Sequence, residues 1–294
     1  MLLTTIFYHV DNFCKDLDSH LATTGLIAQP KRGPVCSLSD SETMSILIYF
    51  HHSGKRNFKD YYLTYIKGFL KQAFPYAPSY GRFIELIPNC VMPLYIFMNY
   101  CRLGTVTGIA FIDSTSLPVC LNLRIRANKV FKGLAARGKT STGWFYGFKL
   151  HIIINELGEI LAFDITPGNV DDRNNSVIKN LTKRLHGKLF GDKGYLSNPL
   201  FKSLFAKGVR LFTKLKKKMK GAMLLLEDKL LLNKRGVIES VNDILKNGCH
   251  IQHTRHRSPV NFIANIIAGL IAYSFLEKKP SLRRRSNQRI AHAK

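Results

Sequence analysis

Three carboxylates occupy positions from which acidic side chains can bind a metal ion. Asp113 directly follows the apolar run Ile109–Ile112, which predicts a buried strand, and Asp192 comes just after a second predicted strand, Lys188–Phe190. Glu239 lies in a segment with helical periodicity. Taken singly, either aspartate is typical of a cap or a turn. Carboxylate oxygens are also the ligands that Mg²⁺ prefers, so a metal site is the competing hypothesis.

The segment that carries Glu239 helps to decide between a structural role and a metal site. On a helical wheel of about 100° per residue, Arg235, Glu239 and Lys246 lie along one stripe. The opposite arc is apolar and consists of Val237, Ile238, Val241, Ile244 and Leu245. An ordinary surface pair at i and i+4 explains Arg235 with Glu239, but it leaves the second cation on that stripe unexplained.

Jointly, these residues resemble the signature of DDE transposases from bacterial insertion sequences, in the branch of compact cut-and-paste enzymes. The resemblance is carried by Phe111–Thr115, by Gly191–Tyr195 and by the spacing of Arg235, Glu239 and Lys246. Two intervening segments resemble further blocks of that family, namely Phe148–His151 and Pro167–Asp172.

The resemblance implies a fold and a chemistry. The fold is α/β, an RNase H-like mixed sheet with flanking helices that is preceded by an all-helical N-terminal domain. Asp113, Asp192 and Glu239 would bind two Mg²⁺ ions, for which Mn²⁺ can substitute, and would catalyse DNA cleavage and strand transfer. Water and then a DNA 3′-hydroxyl would act as nucleophiles, without a covalent enzyme intermediate.

The resemblance also implies DNA contacts for the neighbouring residues. Arg235 and Lys246 would hold phosphates beside the metal ions, and Lys193 and Tyr195 would lie close to the scissile strand. The implied partners are double-stranded DNA, both as terminal inverted repeats and as target, and a second copy of the chain in a homodimer. Such a protein would act in the bacterial cytoplasm at the nucleoid.

The net charge of the chain independently indicates a polyanionic partner. The 294 residues carry a formal net charge of +25. The last 90 residues contain 20 basic and 5 acidic side chains, a net charge of +15. Arg255 and Arg257 lie in a basic loop, His250–Arg257, where they could pair with phosphates.

Two further features of the sequence could indicate a membrane span or a structural zinc site. The apolar stretch Val260–Leu276 is shorter than the ~20 residues that a bilayer requires, so we expect a buried core helix. Zinc binding by Cys249, His250, His253 and His256 is disfavoured, because no second cysteine pair supplies further ligands.

The pattern of elements predicts three regions. Residues 1–104 are expected to form a helical DNA-binding domain, residues 105–280 the catalytic domain, and residues 281–294 a basic, disordered tail. In the first region, Ser39 and Glu42 predict a capping box. Separate helices are expected at Tyr80–Ile87 and Val91–Cys101. In the second, the stretch Lys216–Lys234 is expected to be a basic loop that clamps DNA.

Several alternatives stay open at this point. Trp144 is more typical of a core residue than of a platform on which a base stacks. A related metal-dependent nuclease would share the same chemistry without strand transfer. A non-catalytic DNA-binding repressor or an inactive transposase copy would share the charge but need no intact carboxylates.

Overall fold

The computed structural model divides the chain into two compact units. The helical unit comprises Met1–Arg102 and Ile244–Leu276, and the α/β unit comprises Leu103–Asp243 and Glu277–Lys294. The residues that the structure describes are 2–25, 37–141, 143–214, 224–253 and 255–282. Much of the predicted basic loop and nearly all of the predicted tail lie outside them.

The described elements follow one another as helices, then strands with interspersed helices, then helices again. The helices are α1 (Leu2–Thr23), α2 (Asp40–Phe50), α3 (Phe58–Asp60), α4 (Tyr80–Phe97), α5 (Asn175–Leu181), α6 (Asn198–Phe205), α7 (Leu226–Asn233), α8 (Gly236–Asp243) and α9 (Pro259–Ser274). The strands are β1 (Ile109–Cys120), β2 (Ala136–Thr140), β3 (Gly143–Asn155), β4 (Ile160–Pro167), β5 (Gly187–Gly191) and β6 (Val209–Thr213). Short π-helical segments continue three helices: Tyr61–Phe69, Met98–Arg102 and Ile244–Gly248.

Local sequence signals set the ends of several helices in the helical unit. The backbone N–H of Glu42 donates to Ser39 Oγ at 3.1 Å, and the Ser39 N–H donates to Glu42 Oε2 at 2.8 Å. This is the predicted capping box, and it satisfies N–H groups at the start of α2 that have no partner within the helix.

The sequence-based break between two helices near Pro88 is wrong. A single helix, α4, runs through both Pro88 and Pro93. A proline in a helix interior costs about 3 kcal/mol, because it removes a hydrogen bond and crowds the preceding turn. The buried side chains of α4, among them Phe83, Leu94 and Phe97, supply packing that outweighs this cost.

The predicted core helix after residue 259 is confirmed. Most of α9 is buried, including Phe262, Leu270 and Tyr273, and the helix packs against α2 and α4 within the helical unit. Among the described residues, no helix combines the length and hydrophobicity needed to cross a membrane.

The α/β unit contains the mixed sheet that the family resemblance implied. One edge of β3 pairs with β1 in antiparallel orientation, and the other edge pairs first with β2 and then with β4. On its far side β1 pairs in parallel with β5, which pairs in parallel with β6. The strand β2 was missed from the sequence, since its five residues lack an apolar pattern.

Helices cover both faces of this sheet. Ala110 and Ile112 of β1 point into a core cluster that includes Val177 of α5 and Leu200 of α6. On the opposite face the rings of Phe111, Phe190 and Phe212 stack in a row at centroid distances of 5.5 and 5.1 Å. The helices α7 and α8 contact the strands on this second face.

The helix α7 corrects the predicted basic loop. The segment Leu226–Asn233 is helical instead of irregular. Its Asp228 is buried and forms an ion pair with Lys188 of β5. This ion pair holds the helix against the sheet, although the basic residues around it had predicted a loop.

Buried histidines make the helical unit sensitive to acid. His51 bonds through Nδ1 to the carbonyl oxygen of Cys249, and the ring of His256 lies 5.2 Å from that of Phe262. Burial lowers the pKa of His51 to about 4 and that of His256 to about 3, from an ordinary value of 6.5. Both rings are therefore neutral in the folded chain at neutral pH.

We predict that the helical unit loses stability as the pH falls below 6.5. The unfolded chain takes up protons that the folded chain excludes, so the stability is complete above that pH and declines towards pH 4. At pH 5 each histidine contributes a loss of about 2 kcal/mol. Urea unfolding at pH 7.5 and pH 5 measures this loss of stability. The replacement His51→Asn should flatten the pH dependence, and an equal midpoint at both pH values in the unmodified chain would contradict the prediction.

Candidate active site

Asp113 is a largely buried carboxylate at the centre of the sheet. It accepts a hydrogen bond from Asn242 Nδ2 of α8 at 3.0 Å, and Arg235 Nη1 lies 3.8 Å from its other oxygen. Burial raises the pKa of Asp113 to about 6; Arg235 lowers it, and the charges of Glu239 and Asp172 raise it further. Negative charge is thus concentrated around one buried group.

Asp192 directly follows β5, the strand that pairs in parallel with β1. In the parallel pair of β1 and β5, Ile109 lies opposite Lys188 and Phe111 lies opposite Phe190. The described pairing ends there, and Asp192 directly follows the end of β5, where it is exposed. Asp113 and Asp192 each lie two residues after one of the paired phenylalanines, on the C-terminal side of the parallel pair. The charges that act on Asp113 are those of Arg235, Glu239 and Asp172.

Glu239 reaches the site through Arg235. The guanidinium of Arg235 bonds to Glu239 Oε1 at 2.6 Å while its other end faces Asp113. Arg235 is 15% exposed and Glu239 is 60% exposed, so the arginine is enclosed between a buried and an open carboxylate. The buried residues Val237, Ile238 and Val241 hold α8 in place, as its apolar arc predicted.

Part of the predicted helical stripe is wrong. Arg235 precedes α8, and the backbone changes to π-helical geometry at Ile244. A π-turn contains more residues than an α-turn, so the spacing of about 100° per residue does not extend to Lys246. The boundary between the two units also falls at Ile244, which places Lys246 in the helical unit.

The other predicted DNA-contact residues have different surroundings. Lys193 is exposed in the turn after Asp192, and Arg255 and Arg257 are exposed in the helical unit. Tyr195 is only 3% exposed, because its ring packs into the core cluster between the sheet and α6. Its ring is therefore not available to a DNA strand, which corrects the role implied by the resemblance.

A fourth carboxylate, Asp172, was missed as a site residue. Lys149 Nζ donates to Asp172 Oδ1 and to the carbonyl oxygen of Val170, both at 2.9 Å. His151 Nδ1 lies 4.0 Å from the same carboxylate, and burial lowers the pKa of His151 to about 4. The alternation of Lys149 and His151 along β3 was the available signal, since both point to one face.

The donor chemistry of the site suits a hard divalent cation, because it consists of carboxylate oxygens. In the conformation described here, no three acidic, histidine or cysteine side chains within the described ranges are grouped closely enough to hold a metal ion. Arg235 supplies the positive charge between Asp113 and Glu239 instead. The histidines near Cys249 likewise form no metal group.

Comparison with known proteins identifies the α/β unit. Residues 103–259, just over half of the chain, match the family described as "Transposase DDE domain". The curated proteins gave no match. Among solved structures, the chain is similar to a piggyBac transposase in a synaptic complex with hairpin DNA, determined by cryo-EM. The identity is 11%, the alignment covers 93% of this chain and 74% of that one, and the TM-score is 0.47.

We predict that Lys149 fixes the segment after β4. The replacement Lys149→Met keeps the length of the side chain but leaves Asp172 without its counter-ion, so unfolding in urea should show a loss of about 1–3 kcal/mol. Adding Asp172→Asn should restore part of the loss, because it removes the unpaired charge.

The neighbouring pair of Arg173 and Asp171 provides the control, since it is exposed on the same segment. Arg173→Met should change stability little. If Lys149→Met were equally harmless, or if the double variant were less stable than the single one, the proposed role of Lys149 would be wrong.

Proposed function

Because the chain belongs to the DDE transposase family, we propose that Asp113, Asp192 and Glu239 are the carboxylates with which it cuts and joins DNA strands. The observation that carries this proposal is the pair of contacts by which Arg235 joins Glu239 to Asp113. Asp192 is included because it lies two residues after Phe190, just as Asp113 lies two residues after Phe111, the parallel partner of Phe190.

The proposed cofactor is Mg²⁺, two ions per site, with Mn²⁺ as a substitute. Members of this family generally use divalent metal ions, and the three carboxylates offer the hard oxygen ligands that Mg²⁺ requires. Bound there, the ions would supply positive charge to the reacting phosphate and favour ionisation of the attacking hydroxyl or water.

The neighbouring residues prepare these carboxylates. Asn242 orients Asp113 by donating to one of its oxygens. Burial raises the pKa of Asp113, and the guanidinium of Arg235 counteracts this and favours the charged form. The pair with Arg235 also directs the exposed Glu239 towards the same point.

Positive charge on the helical unit supports a role in DNA binding for that unit. Arg56 near His250 contributes to the lowered pKa of that histidine, secondary to burial. Arg257 lies close enough to Tyr80 to act on its pKa, and Lys59 Nζ lies 6.0 Å from the Tyr80 ring. Basic side chains from the segments after α2 and before α9 thus share one region, where phosphates would be bound.

The substrates proposed for this chain are the terminal inverted repeats of a mobile element and a target duplex. Joining two element ends in one reaction requires two active sites, so a homodimer is part of the proposal. A bacterial insertion sequence as its source, and action at the nucleoid, remain predictions of the sequence resemblance.

We predict that carboxylate-to-amide replacements separate chemistry from binding. Asp113→Asn, Asp192→Asn and Glu239→Gln each remove a charged ligand without adding bulk. Cleavage of a DNA substrate in Mg²⁺ should fall by at least ~10³-fold. Binding in a gel-shift assay should persist or strengthen, because repulsion between carboxylate and phosphate is relieved.

The matched control is Glu227→Gln, an exposed carboxylate on α7 of the same unit. It should retain normal cleavage. Retained cleavage by any of the three site variants would exclude that residue from the active site.

A further inference from the structure

The single tryptophan of the chain is exposed, contrary to its usual place in a core. Trp144 of β3 is 62% exposed, and its cross-strand partner on β2 is Lys139. Lys139 Nζ lies 5.6 Å from the centre of the indole ring. An open aromatic face beside a cation is the combination that stacks on a nucleic-acid base.

The indole ring lies between two clefts. The larger has a volume of about 440 Å³ and is lined by the four cations Arg137, Lys139, Lys149 and Arg173. The smaller, of about 300 Å³, is lined by Asn122, Ile125 and Phe145 together with Arg137 and Trp144. Both volumes fall in the range of about 300–1,000 Å³ that small-molecule sites occupy.

The charges of the larger cleft do not cancel. Lys149 is paired with Asp172, and Arg173 with Asp171. Among the residues that the structure describes, Arg137 and Lys139 have no carboxylate partner. The cleft therefore offers two uncompensated cations beside an aromatic ring, which suits an anion that also carries a flat apolar face.

The cleft is formed by packed backbone. Asn122 Nδ2 donates to the carbonyl oxygen of Trp144 at 2.7 Å. A Cβ atom on Gly138 would lie 2.3 Å from the carbonyl oxygen of Gly168, so the β2–β3 hairpin packs directly against the segment after β4. Close packing of this kind fixes the backbone from which the indole projects.

The cleft leads to the candidate active site. Gly194, two residues after Asp192, lines it, as does Asp172, whose charge acts on Asp113. A strand whose phosphate reaches the carboxylates would have a neighbouring nucleotide at this cleft.

We propose that this cleft binds an unpaired nucleotide of the DNA strand at the active site, with its base on Trp144 and its phosphate at Arg137 and Lys139. The nucleotide is unpaired because a base inside a duplex is already stacked on both faces and cannot present one to the indole. This inference rests on the proposed function, since it takes DNA as the substrate.

Trp144 itself is the probe, because no other tryptophan contributes to the fluorescence. The experiment titrates the full chain, in a chelator to prevent cleavage, with two duplexes of equal length. One is blunt and the other ends in a few unpaired thymines. The unpaired end should quench the fluorescence, and the blunt duplex should leave it nearly unchanged.

Variants of Trp144 test whether the indole ring contributes to binding affinity. Trp144→Ala should weaken binding of the duplex with unpaired thymines by about 5- to 150-fold, as expected for the loss of one stacked base. It should leave the affinity for the blunt duplex unchanged, and Trp144→Phe should retain most of the binding. Phe201→Ala, an exposed aromatic on α6, is the control and should alter neither affinity.

The outcomes separate this inference from the proposed function. Equal quenching by both duplexes, or an unchanged affinity of Trp144→Ala for unpaired thymines, would overturn the nucleotide site while DNA binding stands. If the unmodified chain bound neither duplex, the proposed function would fail and this inference would fail with it.

Discussion

The parallel pairing of β1 with β5 is the constraint on which the proposed active site depends. It sets Phe111 beside Phe190, and Asp113 and Asp192 each follow one of these residues by two positions although 78 residues separate the two aspartates in the chain. The phenylalanine rings that precede them, Phe111 and Phe190, stack at 5.5 Å and fix the register. A slip by one residue would turn one aspartate to the opposite face, because side chains alternate along a strand.

The second constraint is electrostatic. In a chain with a net charge of +25, the negative charges of Asp172 and Glu239 act on the buried carboxylate of Asp113. Arg235 and Lys149 each balance part of this charge. A cluster of acids in a basic protein suits the reaction of a phosphate, since cations attract the DNA and the acids can bind the metal ions that neutralise its charge.

Much of this could be predicted from the sequence where the signals were local. The capping box at Ser39, the strand before Asp113 and the pair of Arg235 with Glu239 each depend on residues within a few positions of one another. The mixed sheet followed from the family resemblance, which the match over residues 103–259 supports.

The remaining features depend on tertiary packing. The strand β2 is too polar to show an apolar pattern, and it is recognisable only through its pairing with β3. Tyr195 is buried because the turn after β5 folds it under the sheet, and the position of Lys246 depends on a change to π-helical geometry at Ile244. The role of Asp172 requires the β3–β4 hairpin to be formed, since only then does Lys149 reach it.

The most direct test of a shared metal site replaces Mg²⁺ with Fe²⁺ and uses the radicals that bound iron generates to cut the protein backbone. A shared site predicts cuts at three distant places in the chain, around residues 113, 192 and 239, which an excess of Mg²⁺ suppresses and Asp113→Asn abolishes. Cuts confined to another region, such as the histidines near residue 250, or cuts at only one of the three places, would contradict a common metal site formed by strand register.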